Sequence, residues 1–260
     1  RGPRETRAAP VTSPRSLCGV LAFLLSVADL VAAAPVVRTQ AAFPVRVLLI
    51  GDSLSVGPFG KEIEAFLRRR YGPRGYAVFA SCGSSPEDWL RKTPVFTTKC
   101  GYRQVTPAGS VVREYSGGRR PDPVRTPKLP AILARFRPQV VIVQLGTNWF
   151  GKIAPGRTDG AHYRAIIKEF VRELRSVPGP PPQIIWVMPP ASSAYSAGTH
   201  DDVERWITDC SRLLDFRVVN SRRLTSPYRK GVTGGDGVHY SGPAGRAWAR
   251  GVLGTLSAAP

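Results

Sequence analysis

A serine stands where an apolar stretch changes into a helical pattern, and its surroundings suit a nucleophile. Residues 45–50 are largely apolar and β-branched, and Gly51-Asp52-Ser53 follows before apolar residues at helical spacing. This pattern predicts a buried strand, a tight turn and a helix. Ser53 would then lie at a helix N-terminus, where free backbone N–H groups favour an oxyanion. Ser53 is therefore a candidate nucleophile, although serine is also a common helix N-cap.

A glycine-rich segment near the end of the chain holds an aspartate and a histidine three residues apart, Asp236 and His239. In a loop, this spacing allows the carboxylate to accept the Nδ1–H of the imidazole, so that Nε2 is free to take a proton from a hydroxyl. The alternative is a turn-forming aspartate followed by a surface histidine. The spacing of His162 and His200 suggests no zinc site, and we predict neither a metal nor another cofactor.

Acyl transfer also needs hydrogen-bond donors where a carbonyl oxygen becomes negative. Three candidates follow predicted strands: the backbone N–H groups of Ser53 and Gly83 and the side-chain amide of Asn148. Each of the last two could equally be an ordinary turn residue. Trp149 and Phe150, beside Asn148, could form a sugar platform or an acyl pocket, or pack in the core.

The elements that position these residues alternate between strands and helices. After the strand at residues 45–50, we predict strands at residues 76–80, 139–145, 183–188 and 217–220. Helices are predicted at residues 53–70, 129–136, 161–175, 201–214 and 242–256. With no hairpin signal between these strands, the pattern predicts an α/β fold whose parallel sheet is covered on both faces. Ligands of such sheets bind at the carboxyl ends of the strands, where the candidate residues lie.

The segment at residues 91–128 interrupts this regular pattern. Thr, Gly and Pro accumulate there, and residues 111–115 are the one stretch with the character of an edge strand. We interpret the segment as a loop-rich insertion that serves as a lid or a binding loop.

The first 34 residues have the character of a secretory signal. Arginines precede an apolar run at residues 17–30, and small residues suggest cleavage near Ala33 or Ala34. The run is short for a membrane span and contains Asp29, although an uncleaved anchor is the alternative. We predict a signal peptide at 1–34, a linker at 35–44 and a single domain at 45–260, in a periplasmic or secreted protein.

Three cysteines lie outside the predicted signal. An exported protein can form disulfides, and Cys82 and Cys100 bracket a loop-rich segment that a bridge would hold in place. Cys210 lies in a helical pattern and is predicted to be a buried thiol.

The chain is strongly basic, with a formal net charge of +19 at pH 7. The basic residues are spread along the chain, the longest run is residues 68–70, and no nucleic-acid motif is present. We therefore expect no specific nucleic-acid partner, whereas an affinity for acidic envelope polymers is compatible with the charge.

Four sequence blocks occur in an order that resembles the SGNH (GDSL) hydrolases over residues 45–257. The blocks are Gly51-Asp52-Ser53-Leu54, Gly83, Gly146-Thr147-Asn148 and Asp236-Gly237-Val238-His239. The resemblance implies a three-layer α/β/α sandwich of flavodoxin-like type, with a central parallel sheet of about five strands. It also implies metal-free ester hydrolysis with Ser53 as nucleophile, His239 as base and Asp236 as its partner, and with Ser53, Gly83 and Asn148 as oxyanion donors. Ordinary α/β-hydrolases have Gly-x-Ser-x-Gly at the nucleophile, whereas position 55 here is serine.

We therefore expect an exported serine esterase that acts on acetyl or other short acyl esters of small molecules or polysaccharides. Longer-chain lipolytic or thioesterase activity and O-acyl transfer are alternatives with the same residues. A non-catalytic module that binds polyanions is the alternative from another functional class. The sequence leaves the oligomeric state open.

Overall fold

Strands from both halves of the chain form the central sheet. The computed structural model describes residues 45–98, 100–115, 118–153 and 160–257; the predicted signal at 1–34 and linker at 35–44 lie outside these residues. Numbered in chain order, the strands are β1 (Val47–Gly51), β2 (Tyr76–Ser81), β3 (Thr97–Thr98), β4 (Tyr102–Thr106), β5 (Gly109–Arg113), β6 (Val124–Arg125), β7 (Val140–Gln144), β8 (Gln183–Val187) and β9 (Arg217–Val219). In the described part of the chain, seven strands form one sheet in the order β5-β4-β2-β1-β7-β8-β9, and β3 pairs with β6.

The five strands β2, β1, β7, β8 and β9 are parallel, which confirms the predicted parallel sheet. The complete sheet has seven strands rather than five, because β4 and β5 form an antiparallel hairpin that pairs with β2. The insertion at residues 91–128 therefore contains four strands and is more regular than predicted. The edge strand expected at 111–115 corresponds to β5, which begins and ends two residues earlier.

Helices cover both faces of the sheet and form the three-layer sandwich. They are α1 (Ser53–Val56), α2 (Pro58–Tyr71), α3 (Leu129–Phe136), α4 (Ala161–Leu174), α5 (Ala197–Leu214) and α6 (Gly242–Ser257). Val47 and Leu49 of β1 pack in one core cluster with residues of α2 and α6, whereas Leu48 and Ile50 pack in the other with residues of α3, α4 and α5. This alternation is the two-residue period of a strand buried on both faces. No helix among the described residues is both long and apolar enough to cross a membrane.

The prediction of a single helix at residues 53–70 is wrong in one respect, because the structure divides this stretch into α1 and α2. Gly57 adopts an extended conformation between them, and Pro58 is the first residue of α2. A residue before proline is disfavoured in the helical conformation, and proline suits the first turn of a helix. The break limits the helix after Ser53 to one turn.

Candidate active site

Ser53 is placed by a tight turn after β1. The Asp52 carboxylate caps α1, where its Oδ1 accepts the Leu54 N–H at 2.9 Å. The hydroxyl of Ser55 donates to Gln144 Oε1 at 2.7 Å. Position 51 requires glycine, because a Cβ there would lie 2.1 Å from Ser55 Oγ. These contacts hold the turn on both sides of Ser53, whose own side chain stays partly exposed.

The structure brings Ser53, His239 and Asp236 together, as the sequence predicted. His239 Nε2 lies 2.8 Å from Ser53 Oγ, although 186 residues separate the two. His239 Nδ1 lies 2.5 Å from Asp236 Oδ2. A serine hydroxyl, an imidazole and a carboxylate in this order can pass a proton from the hydroxyl to the ring while the carboxylate fixes the ring's orientation.

Asp236 is held in its ionised form. Partial burial raises the pKa of its carboxyl, but the His239 ring and the backbone N–H groups of His239 and Val238 donate hydrogen bonds that outweigh burial. The pKa of Asp236 is lowered to about 2. The group therefore carries a negative charge over the whole neutral range, next to the His239 ring.

Residues that no sequence motif indicated hold the loop of Asp236 and His239 in place by hydrogen bonds. The Tyr228 hydroxyl donates to the His239 carbonyl at 2.8 Å and accepts the Gly237 N–H at 3.3 Å. The Gly237 carbonyl accepts from the Ser192 hydroxyl at 2.7 Å and from the Ser193 N–H at 2.9 Å. A tyrosine eight residues before Asp236 carries no motif signal, so only the fold reveals this support.

The three oxyanion candidates lie at one edge of the sheet. In register, Gly51 pairs with Ala80 of β2 and with Gln144 of β7. Residues 53, 83 and 148 thus follow neighbouring strands by two to four positions. The Asn148 amide donates one hydrogen bond to Ser84 O at 2.8 Å, which links Asn148 to the turn after β2 and leaves its second N–H for another acceptor.

Gly83 adopts a conformation that favours glycine, with a φ of +86°. Among the described residues, none accepts a hydrogen bond from its backbone N–H. A Cβ at this position would have only the Phe96 ring nearby, at 3.5 Å. The N–H is therefore available to an incoming oxygen.

Trp149 and Phe150 pack in the core, which is one of the alternatives that the sequence left open, and neither is among the described residues that line the groove beside Ser53. Both side chains are buried in the core, at 0% and 3% exposure. The 3-10 helix Thr147–Lys152 turns both rings away from solvent, and Trp149 Nε1 donates to Glu87 Oε2 at 2.9 Å. The alternative of core packing is the one the structure shows.

A groove of about 510 Å³ opens beside Ser53 instead. Besides Ser53, Asp236 and His239, its lining residues are Val56, Gly57, Lys61, Cys82, Cys100, Glu114 and Tyr115. Tyr115 lies two residues after the end of β5 and is 51% exposed. Its position at the end of a predicted edge strand was the one available sequence signal for these wall residues.

Ion pairs hold in place the charged side chains of Lys61 and Glu114, which line the groove. Lys61 Nζ lies 2.7 Å from Glu114 Oε2, and Arg103 contacts both Glu114, at 2.9 Å, and the buried Glu64, at 2.7 Å. Partial burial raises the pKa of Glu114, but the hydrogen bonds from Lys61 and Arg103 outweigh it and lower the pKa below its usual range. Glu114 therefore stays ionised and joins α2 to the β4–β5 hairpin.

The structure contains the expected disulfide between Cys82 and Cys100. Cys82 directly precedes Gly83, and both cysteines line the groove. Cys210 is a free, buried thiol, as predicted. Within the described residues, no group of three or more His, Cys, Asp or Glu side chains could hold a metal ion.

Several solved structures share this fold. One, described as TesA, is 16% identical with a TM-score of 0.53, and the match covers 81% of this chain and 97% of that one. A carbohydrate acetylesterase family member from Sinorhizobium meliloti is 19% identical, with a TM-score of 0.51 and coverage of 82% and 97%. The psychrotrophic esterase EstA from Pseudoalteromonas sp. is 13% identical, with a TM-score of 0.54 and coverage of 82% and 96%. No protein-family model and no curated protein sequence matches the chain. At these identities the likeness concerns the fold alone.

Proposed function

We propose that this protein is a serine esterase that works through an acyl-enzyme. The observation that carries the proposal is the contact of Ser53 Oγ with His239 Nε2 at 2.8 Å, with Asp236 on the other ring nitrogen. A serine within hydrogen-bond reach of a base that a third group orients is the arrangement of an activated nucleophile. The esterases with the same fold support this interpretation.

In the proposed reaction, Ser53 Oγ attacks the ester carbonyl while its proton moves to His239 Nε2. The carbonyl oxygen becomes negative and accepts hydrogen bonds from the Ser53 and Gly83 backbone N–H groups and the Asn148 amide. The intermediate collapses, the alcohol leaves with the proton from His239, and Ser53 keeps the acyl group. Water then attacks the acyl-enzyme, gives its proton to His239, and releases the acid as Ser53 is restored.

We propose a short acyl group as the donor part of the substrate. Apart from the disulfide, the large apolar side chains among the described residues that line the groove are those of Val56, which is only 7% exposed, and Tyr115. Trp149 and Phe150, which could have enclosed a long chain, are buried in the core. A long acyl chain would therefore bury little surface here, whereas an acetyl group needs little.

We propose a carbohydrate as the alcohol part. The groove combines the exposed ring of Tyr115 with the charged groups of Lys61 and Glu114. A flat aromatic face and polar groups at its rim suit a sugar, which has both C–H faces and hydroxyl edges. A likeness in fold to a carbohydrate acetylesterase family member agrees with this choice.

We also propose that the protein works outside the cytoplasm. The Cys82–Cys100 disulfide supports this location, because disulfides persist in oxidising compartments and are rare in the cytosol. The signal expected at residues 1–34 agrees with it.

Hydrolysis of p-nitrophenyl acetate by the purified protein tests the reaction class. Ser53→Ala and His239→Ala should each lower kcat by about 10⁴-fold or more, since both groups act in one proton transfer. The exposed Ser226 offers a matched control, and Ser226→Ala should keep the wild-type rate. A fluorophosphonate should add one adduct to the wild type, and peptide mass spectrometry should place it on Ser53. Full activity in Ser53→Ala would refute the proposal. Salt-sensitive binding to an acidic glycan without any adduct would favour the polyanion-binding alternative.

A further inference from the structure

The peptide between Cys82 and Gly83 is held by a threonine from the insertion. The Thr98 hydroxyl lies 2.8 Å from the Cys82 carbonyl oxygen and donates to it. The same hydroxyl lies 2.9 Å from the Gly101 carbonyl oxygen, so its single proton is shared between two acceptors. Thr98 is 1% exposed, and water does not compete for these bonds.

This contact matters because the carbonyl and the N–H belong to one planar peptide. The Cys82 carbonyl and the Gly83 N–H point in opposite directions across a rigid unit. Fixing the carbonyl therefore fixes the direction of the N–H, which has no acceptor among the described residues. A hydrogen bond to the carbonyl also polarises the peptide and makes its N–H a stronger donor.

The surroundings of Thr98 show that this end of the insertion is built against the turn after β2. Its strand β3 pairs with β6, and the adjoining Thr126 contacts the Ser81 hydroxyl at 2.6 Å. The Cys82 N–H donates to the Gly101 carbonyl at 3.0 Å. Two buried threonines thus contact consecutive residues, Ser81 and Cys82, immediately before Gly83.

We infer that Thr98 is a positioning residue that orients and polarises the Gly83 N–H for the oxyanion of the reaction. The inference rests on the proposed function and adds a part of the oxyanion site that lies outside the four sequence blocks. Thr98 touches no reacting atom, and its effect passes through one peptide unit. Its contribution should therefore be smaller than that of a complete oxyanion donor, whose removal costs about 10²–10³ in kcat.

The test compares Thr98→Val with Thr126→Val. Both remove one buried hydroxyl from the same small sheet, but only Thr98 touches the Cys82–Gly83 peptide. Thr98→Val should lower kcat for p-nitrophenyl acetate by about 10-fold with little change in KM. Thr126→Val should stay within about 3-fold of the wild type, and Thr98→Ser, which keeps the hydroxyl, should restore most of the rate.

A thionoester distinguishes positioning from a general loss of structure. Its C=S sulfur is a weaker hydrogen-bond acceptor than oxygen, so its cleavage depends less on the Gly83 N–H. Thr98→Val should lower the ratio of oxoester to thionoester rates by about 5-fold or more, whereas a partly unfolded enzyme would lose both rates equally. Rates are taken per active site titrated with the fluorophosphonate, and Thr98→Ala replaces the valine variant if that variant does not fold.

The inference is overturned if the ratio does not change, if Thr126→Val lowers it equally, or if Thr98→Ser is as slow as Thr98→Val. Ser53→Ala separates this result from failure of the proposed function. An inactive Ser53→Ala enzyme together with an unchanged rate ratio in Thr98→Val would remove only the role of Thr98. An active Ser53→Ala enzyme would remove the proposed function itself.

Discussion

The buried carboxyl of Asp52 should contribute less to the stability of the protein as the pH rises from 4 to 7. Asp52 is 0% exposed, and its Oδ2 has no hydrogen-bond partner among the described residues. Burial raises the pKa of Asp52 to about 6, and the hydrogen bond from the Leu54 N–H, with the polar neighbours Gln144 and Thr147, only partly opposes it. The native protein thus binds this proton more tightly than the unfolded chain does.

The sign and size follow from linkage. Stability that comes from the protonated carboxyl is fully present below pH 3.8, the ordinary value, and is lost as the pH rises through about 6. One pKa unit corresponds to about 1.4 kcal/mol, so the contribution of Asp52 to the free energy of unfolding should fall by about 3 kcal/mol over this range. Asp52→Asn cannot ionise and should not suffer this loss.

Urea unfolding, followed by tryptophan fluorescence from pH 4 to 8 without reductant, measures the effect. The difference in unfolding free energy between Asp52→Asn and wild type should grow by about 3 kcal/mol in favour of the variant as the pH rises. If the side-chain amide of the Asp52→Asn variant changes the free energy of unfolding by an amount that does not depend on pH, that amount cancels in this comparison. Asp122→Asn removes an exposed carboxylate and is the control. A difference that stays flat with pH, or that grows toward acid, would refute the reasoning.

Two further predictions concern the groove. Tyr115→Ala should raise KM about 10-fold for acetylated oligosaccharides, because it removes an aromatic contact surface. The KM for p-nitrophenyl acetate should not change. Steady-state kinetics on both substrates measures the two values, and equal changes would exclude a sugar platform at Tyr115. Replacing both Cys82 and Cys100 by serine should lower the free energy of unfolding by about 3 kcal/mol, since the bridge closes a loop with a sequence separation of 18. In urea unfolding, Cys210→Ala keeps the bridge and serves as control, and a loss below about 1 kcal/mol would contradict the prediction.

The parts of the fold that the sequence predicted best are those with a strong local signal. The run at residues 139–145 is continuously apolar except at its two glutamines, and it forms β7, the central one of the five parallel strands. Ser53, Asp236 and His239 were found because each stands in a short motif whose chemistry depends on residue type. Their convergence follows from the sheet, which places the ends of parallel strands at one edge.

Residues without a local signal were missed or left between alternatives. Trp149 and Phe150 follow Asn148 directly, but a 3-10 helix has three residues per turn, so neighbours in sequence point in different directions. Within this short helix the rings of Trp149 and Phe150 are both buried in the core, whereas Asn148 stays at the edge of the sheet. No hydrophobic period is visible over so short an element, and the burial of these rings depends on α4 and α5 packed over them.

The insertion shows why the substrate is harder to predict than the reaction. Two of its residues contact the site in different ways: Thr98 holds the peptide before Gly83, and Tyr115 lies in the wall of the groove. The first contact serves any ester, since every acyl transfer develops charge on the same oxygen. The second serves only substrates whose alcohol part reaches the wall. Changes at Thr98 should therefore act on all oxoesters alike, whereas changes at Tyr115 should reorder them, because one segment supports both the chemistry and the choice of substrate through separate residues.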